Sequence, residues 1–266
     1  MFDAHVHLQD PRIAAVLSDV IRRAAETGIT GACCCGTSPD DWEAVSILAE
    51  ASLPFVLVPA FGVHPWYVRD LPADWFEMLI ARLEHHPVAV LGEIGLDGLR
   101  DDVPADLQEQ IFVQQLELAE HMRLPVVLHG ARVWGRLVEL IKPYAHRVPS
   151  FVVHGFGSSF EILKRIVNMG GYVSFAGSIC NPKSAKIRAA AKEIPDCQLL
   201  IETDTPDIFP QGGGASLIGT DGKPLNQLSN LKRVLEEIAA LRGITPEVLS
   251  DITGANARRA LLSIHG

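Results

Sequence analysis

The feature that most constrains this chain is a recurrence. Eight short β-rich segments, at residues 2–8, 29–35, 55–63, 88–94, 125–129, 151–154, 172–176 and 199–204, return along all 266 residues. Most are continuous apolar runs, without the alternation of a sheet that has one wet face. Such runs belong to strands buried on both sides, as in parallel sheets covered by helices. Helix-like stretches separate them, at 11–27, 40–51, 73–85, 104–121, 133–144, 158–169 and 183–192, with two more at 228–241 and 245–262. In the first of these Ile13, Val16, Leu17, Val20 and Ile21 recur three and four apart on one face. Gly28 and Gly170 stand where a helix C-cap glycine would. Alternation of this kind over this length predicts an α/β fold, a (β/α)8 TIM barrel spanning 1–266 as one domain. A doubly wound open sheet is the runner-up. His7-Leu8-Gln9-Asp10 follows the first strand, where that fold carries a Gly-rich turn. The only long irregular stretch is 205–227, containing Gly212-Gly213-Gly214 and Gly219. A loop of that length is usually functional or mobile.

Composition narrows the function classes. With 48% hydrophobic and 21% charged residues the chain is globular and lacks the signature of disorder. No run approaches the ~18 apolar residues of a membrane helix. Met1 is followed at once by Phe2-Asp3-Ala4-His5, with no basic or apolar region of a signal peptide. Lys and Arg number 23 against 32 Asp and Glu, a net charge of −9. That argues against a protein coating nucleic acid by general charge, and leaves room for a nuclease whose positive charge is bound metal. Of five cysteines, Cys33, Cys34 and Cys35 are consecutive and would alternate faces of a strand. They form no disulfide framework, which fits a reducing, cytoplasmic setting.

Barrel sites form at the C-terminal ends of the strands. The polar residues there are His5 and His7, then His64, Glu93, His129, His154 and Asp204. Five of the ten histidines fall in this set; His85, His86, His121 and His146 sit at helix ends or loops, and His265 in the tail. His5 and His7 are two apart in a strand, so both point to one face. A lone buried imidazole is ordinarily a satisfied core residue, and that accounts for one or two positions. Histidines and acids gathered at one end of five strands point instead to divalent metal. Imidazole with carboxylate suits Zn, Mn or Fe, and carboxylate alone suits Mg. Six ligands exceed the need of one zinc, so two ions (Zn, Mn or Mg) sharing a carboxylate are expected, ~3.5–4 Å apart as in two-metal hydrolases. No lysine lies at a mid-chain strand end, which leaves Glu93 as the bridge. The expected sets are His5, His7, Glu93 and Asp204 around one ion, and Glu93, His129 and His154 around the other.

These segments closely resemble the TatD family of metal-dependent hydrolases, within the amidohydrolase-like barrels. The matching pieces are Asp3-Ala4-His5-Val6-His7, Gly62-Val63-His64-Pro65, Gly92-Glu93-Ile94-Gly95-Leu96-Asp97, Leu124-Pro125-Val126-Val127-Leu128-His129, Val153-His154-Gly155-Phe156 and Leu200-Ile201-Glu202-Thr203-Asp204-Thr205-Pro206, with Asn256-Ala257 near the end. The third and sixth pieces are specific; a lone His-x-His would be weak. The resemblance spans essentially the whole chain. It implies a barrel binding one or two divalent ions and deoxyribonuclease activity, often as an exonuclease from a 3′ end. It carries over the same six ligands, and matches His64 to a substrate-side histidine. Four departures lie outside the ligand set and bear on the substrate. Ala131 stands where Arg is usual, with Arg132 one place later. Gly155 replaces a cysteine, Gly98 an aromatic residue, and Asn226-Gln227-Leu228 an Asn-Glu-Pro.

The chemistry expected is attack on phosphorus, or equally on a carbonyl carbon, by a metal-bridging hydroxide available near neutral pH. Asp204 would take the proton and return it to the leaving group, with Glu93 holding the ions. Glu202 and Asp3 read as interior acids supporting the ligands. Asp97 would orient His64 or a water, or simply be a turn residue. Arg132 would fork onto a phosphate, or be a solvated charge at a helix start. Lys183, Lys186 and Arg188 follow strand seven, where barrels often bind phosphate, though helix charges are usually just solvated. Trp66, Tyr67 and Trp134 fall in loops at the same end and could stack on bases; loop packing is the plainer reading. Cys33 to Cys35 read as small fillers, and Cys180 approaches the mouth. Three functions compete: a phosphodiesterase acting on single-stranded DNA, an ester or amide hydrolase (an aminoacyl ester, for instance), and a non-catalytic barrel. No motif for a membrane or a stable protein partner is visible.

Overall fold

Strand β1 (Phe2–Val6) pairs in parallel with β2 (Gly31–Cys35), and the sheet continues in chain order through β3 (Val56–Phe61), β4 (Val90–Asp97), β5 (Val126–Ala131), β6 (Phe151–Val153), β7 (Tyr172–Phe175) and β8 (Leu199–Ile201). This computed structural model describes residues 1–214, 217–219 and 222–262. His265 lies outside the described residues, as do Ala215, Ser216, Thr220 and Asp221 of the long loop. Helices α1 (Leu17–Glu26), α2 (Pro39–Glu50), α3 (Trp75–His85), α4 (Ala105–Met122), α5 (Trp134–Ile141), α6 (Phe160–Asn168) and α7 (Ala185–Glu193) occupy the crossovers, and α8 (Leu231–Arg242) and α9 (Pro246–Leu262) follow β8. A strictly sequential order has no reversal point, so the doubly wound alternative is excluded.

The ring closes between the two ends of the chain. Past β8, Asp204 donates its backbone N–H to the His5 carbonyl (3.0 Å), and His7 donates to the Thr205 carbonyl (2.7 Å). The buried Asp3 carboxylate adds to this seam, accepting from the Thr203 N–H (2.9 Å) and hydroxyl (2.7 Å).

Burial on both faces explains the apolar runs. Alternate residues of each strand serve different cores. Val6, Cys34, Phe61, Leu91, Leu128 and Val153 pack against the helices. Ala4, Cys33, Cys35, Ala60, Val127 and Leu200 fill the interior. Helix α9 covers the N-terminal end with Ala257, Ala260 and Leu261, and Asn256 donates to the carbonyl of Leu199 at the start of β8 (2.8 Å). The interior is therefore shut below and lined by side chains above. All three consecutive cysteines are buried and unpaired, as their alternation implies.

Gly28 and Gly170 follow α1 and α6 at φ +88° and +84°, as C-cap glycines should. Helix α1 starts later than the apolar spacing suggests. Asp10 accepts from the Arg12 backbone (2.7 Å) and its guanidinium, which also pairs with Asp207, so a turn is built before Leu17. The segment 205–227 is anchored rather than loose in its described part. Buried Asn226 donates to the Thr203 carbonyl (2.8 Å) and accepts from Asn230 (2.9 Å), and a small hairpin forms between β9 (Leu217–Ile218) and β10 (Pro224–Leu225). Among the described residues no helix is long and apolar enough to cross a membrane.

Candidate functional site

Six strand-end residues converge at the C-terminal mouth, around the buried carboxylate of Glu93. Its two oxygens face different partners. Oε2 lies 3.2 Å from His5 Nε2 and 3.5 Å from His7 Nε2. Oε1 lies 2.7 Å from His154 Nε2 and 2.9 Å from His129 Nδ1. Asp204 joins the first group, with Oδ1 at 3.8 Å from His5 Nε2 and 3.6 Å from His7 Nε2. The nitrogens crowd each other too: His5 Nε2 is 3.1 Å from His7 Nε2, and His129 Nδ1 is 3.2 Å from His154 Nε2.

The opposite side of each ring shows which nitrogen is free. His7 Nδ1 lies 2.7 Å from the Cys35 carbonyl, which only accepts, so Nδ1 carries the proton and Nε2 offers a lone pair inward. His129 Nε2 lies 3.1 Å from Asp97 Oδ2, which leaves Nδ1 inward. Burial favours the neutral acid of Asp97, but donations from His129, the Leu99 N–H and the Trp66 indole hold it ionised at about 2. His154 Nδ1 faces Glu202 Oε1 at 3.4 Å, long for a hydrogen bond. Glu202 is itself fixed by the Gly155 N–H (2.7 Å) and the Ser174 hydroxyl. His5 Nδ1 lies 3.4 Å from the Cys35 thiol.

Lone pairs aimed at a carboxylate from several sides repel unless a cation lies among them. Rings backed by carbonyls or carboxylates are the usual support of metal-binding histidines. The donor set therefore fits divalent metal. Protons supply part of that charge in the protein alone. Burial opposes protonation of His154, but Glu93 and Glu202 outweigh it and raise its pKa well above the ordinary value. His129 is raised too, with Asp97 and Glu93 overcoming burial. Burial and the His154 charge lower His5.

His64 also reaches this cluster, at 3.5 Å from Glu93 Oε1, but turns its N–H toward it rather than a lone pair. Its Nδ1 accepts from the Trp66 backbone (3.2 Å), so Nε2 bears the hydrogen and has no lone pair to give a metal. Burial keeps this ring neutral, its pKa well below the ordinary value.

Other positions read from the sequence fall in different places. Asp97, expected to orient His64 or a water or else to be a turn residue, is buried; it accepts from the Leu99 N–H in the turn after β4 (2.6 Å) and backs His129 and Trp66. Asp3 touches only the backbone of His5 (3.3 Å), and its main contacts are with Thr203; burial pushes its carboxyl up to about 8 despite those donors. Arg132 is exposed on the rim. At Gly98 a Cβ would meet Val133 Cγ1 at 2.8 Å and approach Arg132 Cβ at 3.5 Å, so the loop after β5 fills the room an aromatic residue would need. Arg188 is tied to Glu237 and the Ile179 carbonyl and is no free phosphate ligand.

Several contributors escaped the sequence reading. Cys35 stands at a strand end, the criterion used for the histidines, yet reads there as filler. Its carbonyl fixes His7 and its thiol abuts His5. Two buried glutamines of α4 clamp strand ends: Gln108 accepts from the Asp97 N–H (2.8 Å), and Gln115 from the Val63 N–H (2.7 Å). Their seven-residue spacing on an otherwise apolar face was the available signal.

Comparison with known proteins places the chain in a family of metal-dependent hydrolases. Residues 2–262 match the family described as TatD related DNase. A Bacillus subtilis protein named uncharacterized metal-dependent hydrolase YabD is 31% identical over 263 residues, covering 97% of this chain and 98% of that one. The 3′-5′ ssDNA/RNA exonuclease TatD of Pantoea ananatis is 31% identical over 265 residues, with 97% and 98% covered. The crystal structure of YjjV, a TatD homologue from Escherichia coli K12, superposes with a TM-score of 0.89 at 28% identity, covering 98% of this chain and 97% of that one.

Proposed function

This chain belongs to the TatD-related DNase family of metal-dependent hydrolases, and on that premise we propose that it is a phosphodiesterase that shortens single-stranded nucleic acid from a 3′ end. The observation that carries the reading is the division of Glu93: one oxygen toward His5 and His7, the other toward His129 and His154. We assign His5, His7, Glu93 and Asp204 to one divalent ion, and Glu93, His129 and His154 to a second. Four imidazoles favour Zn over Mg. Ions held by these residues would acidify water and offset the charge that builds up in hydrolysis.

The chain's own groups do the rest. Asp204 is part-exposed at the mouth and accepts the proton of the attacking water, then returns it to the leaving oxygen. His64 presents an N–H donor on the side of Glu93 Oε1 and stays neutral while doing so. Asp97 holds His129 in its tautomer, and the Glu202 carboxylate stands behind His154 as a charge at 3.4 Å. Arg132 on the rim takes a substrate phosphate through its forked donors. The barrel works as a single domain in a reducing, cytoplasmic setting, consistent with five free cysteines.

The test pairs elemental analysis with digestion of single-stranded DNA in the same metal. About two equivalents of metal with nucleotides released from one end are expected, and Glu93→Ala or Asp204→Ala should abolish release. Intact DNA at high enzyme with Mg, Mn or Zn supplied overturns the reading. Bound metal in that case transfers the site to ester or amide substrates, and absence of bound metal to a non-catalytic barrel.

A further inference from the structure

The aromatic residues at the mouth differ in what they leave open. Trp134 packs on Phe156, with ring centroids 5.3 Å apart, and its ring lies against Gly130. Trp66 is 42% exposed, and neighbouring Tyr67 43%. Exposure alone would be ordinary, but the Trp66 ring is also fixed. Its indole N–H donates to Asp97 Oδ2 at 2.6 Å. Its backbone N–H donates to His64 Nδ1, and the His64 ring meets it edge-on at 5.0 Å. The Arg100 guanidinium sits 5.5 Å from its centroid.

The location is as telling as the rigidity. Asp97 Oδ2 is shared by the indole and by His129 Nε2, and His129 Nδ1 is 2.9 Å from Glu93. One carboxylate and one imidazole separate the exposed indole from the centre of the cluster. An anchored, exposed indole beside a phosphodiester site suits a nucleobase. Its ordering cost is already met in the free protein. Stacking tolerates every base, because every base has a π-face.

We propose that Trp66 is the platform on which an unpaired nucleobase stacks beside the scissile phosphodiester, and that it thereby selects single-stranded ends. The inference rests on the phosphodiesterase reading above. Bases inside a duplex are stacked on both faces and cannot engage the indole without fraying. Selection is then for unpaired bases and indifferent to base identity.

The experiment compares oligonucleotides that carry a normal or an abasic residue at the cleaved end, with the wild type, Trp66→Ala and Trp66→Phe. The abasic end should cost the wild type roughly 10- to 100-fold in kcat/KM, mostly through KM, the range of losing one stacked base. Trp66→Ala should show that loss on the normal end together with the fall in kcat from the missing N–H to Asp97, and should cleave the normal and abasic ends nearly equally. Trp66→Phe should keep most of KM and lose kcat, because it retains a face for stacking and lacks the N–H to Asp97. Equal wild-type cleavage of both ends overturns the proposal, as does a Trp66→Ala enzyme as sensitive to the abasic end as the wild type. Should Trp66→Ala not fold, Trp66→Leu and the wild-type comparison decide. A wild type that cleaves neither substrate refutes the phosphodiesterase reading itself, and the platform with it.

Discussion

Gly95→Ala should disable the metal site while leaving the barrel folded. Gly95 has φ +150°, and a Cβ built there would lie 2.0 Å from the carbonyl oxygen of His129 and 2.9 Å from its carbon. Real Cβ atoms essentially never come within 3.0 Å of such an atom, so β4 and β5 must part by about 1 Å at this rung. That rung pairs Gly95 with His129, whose ring stands 2.9 Å from Glu93 and 3.1 Å from Asp97. A displacement of 1 Å at a catalytic constellation costs on the order of 100-fold in rate. The unfavourable backbone region adds about 1–3 kcal/mol of destabilisation, which a domain with roughly 5–15 kcal/mol of stability can survive. The assays are metal content, kcat/KM on single-stranded DNA, and urea unfolding. Gly28→Ala is the control. Gly28 also has positive φ, +88°, but nothing lies within 4 Å of the added carbon, so it should lose about 1 kcal/mol of stability and no activity. The reasoning is refuted if Gly95→Ala keeps its full metal content and near wild-type activity. It fails equally if Gly28→Ala impairs catalysis as much.

Other outcomes follow from the same contacts. Glu202→Gln keeps an acceptor for the Gly155 N–H but removes the charge behind His154, so metal affinity by calorimetry should fall roughly 10- to 100-fold with the fold intact. Both His154 and His129 bind protons more tightly than ordinary histidines, so metal must displace those protons. Affinity should therefore fall as pH drops through and below neutrality; a competition titration with no pH slope would contradict this. Asn226→Ala strips the donor from the Thr203 carbonyl and the acceptor from Asn230, and should lower stability by about 1–3 kcal/mol in urea unfolding. Arg12→Ala breaks part-exposed ion pairs with Asp10 and Asp207 and should cost no more than about 1 kcal/mol by the same assay.

What could be read from the sequence is what periodicity and position encode. Strands buried on both faces write themselves as apolar runs, so all eight were placed. Residues that break such runs at one end, from His5 to Asp204, stand out because nothing apolar explains them. What stayed hidden depends on distance in the chain. The main partners of Asp97 and Asp3 lie far away in the chain, His129 for one and Thr203 for the other, where local pattern carries no signal. The seeming looseness of 205–227 had the same cause, since Asn226 ties it through backbone groups that carry no sequence signal. The tautomer of His64 is likewise set by the Trp66 backbone, invisible until the turn is built.

The seam between β1 and the end of β8 has a temporal consequence. Asp3 and Thr203, which join across it, are 200 residues apart in the chain. A growing polypeptide exposes His5 and His7 first and obtains Asp204 and the strand that closes the ring near the end. Until then the early histidines lack both a wall behind them and their acidic counterpart. Closure of the ring and assembly of the strand-end cluster are thus one event, so a metal held by the proposed ligands would bind more tightly as the fold becomes more stable. A hydrolase built this way brings its strand-end cluster together only when the last strand arrives.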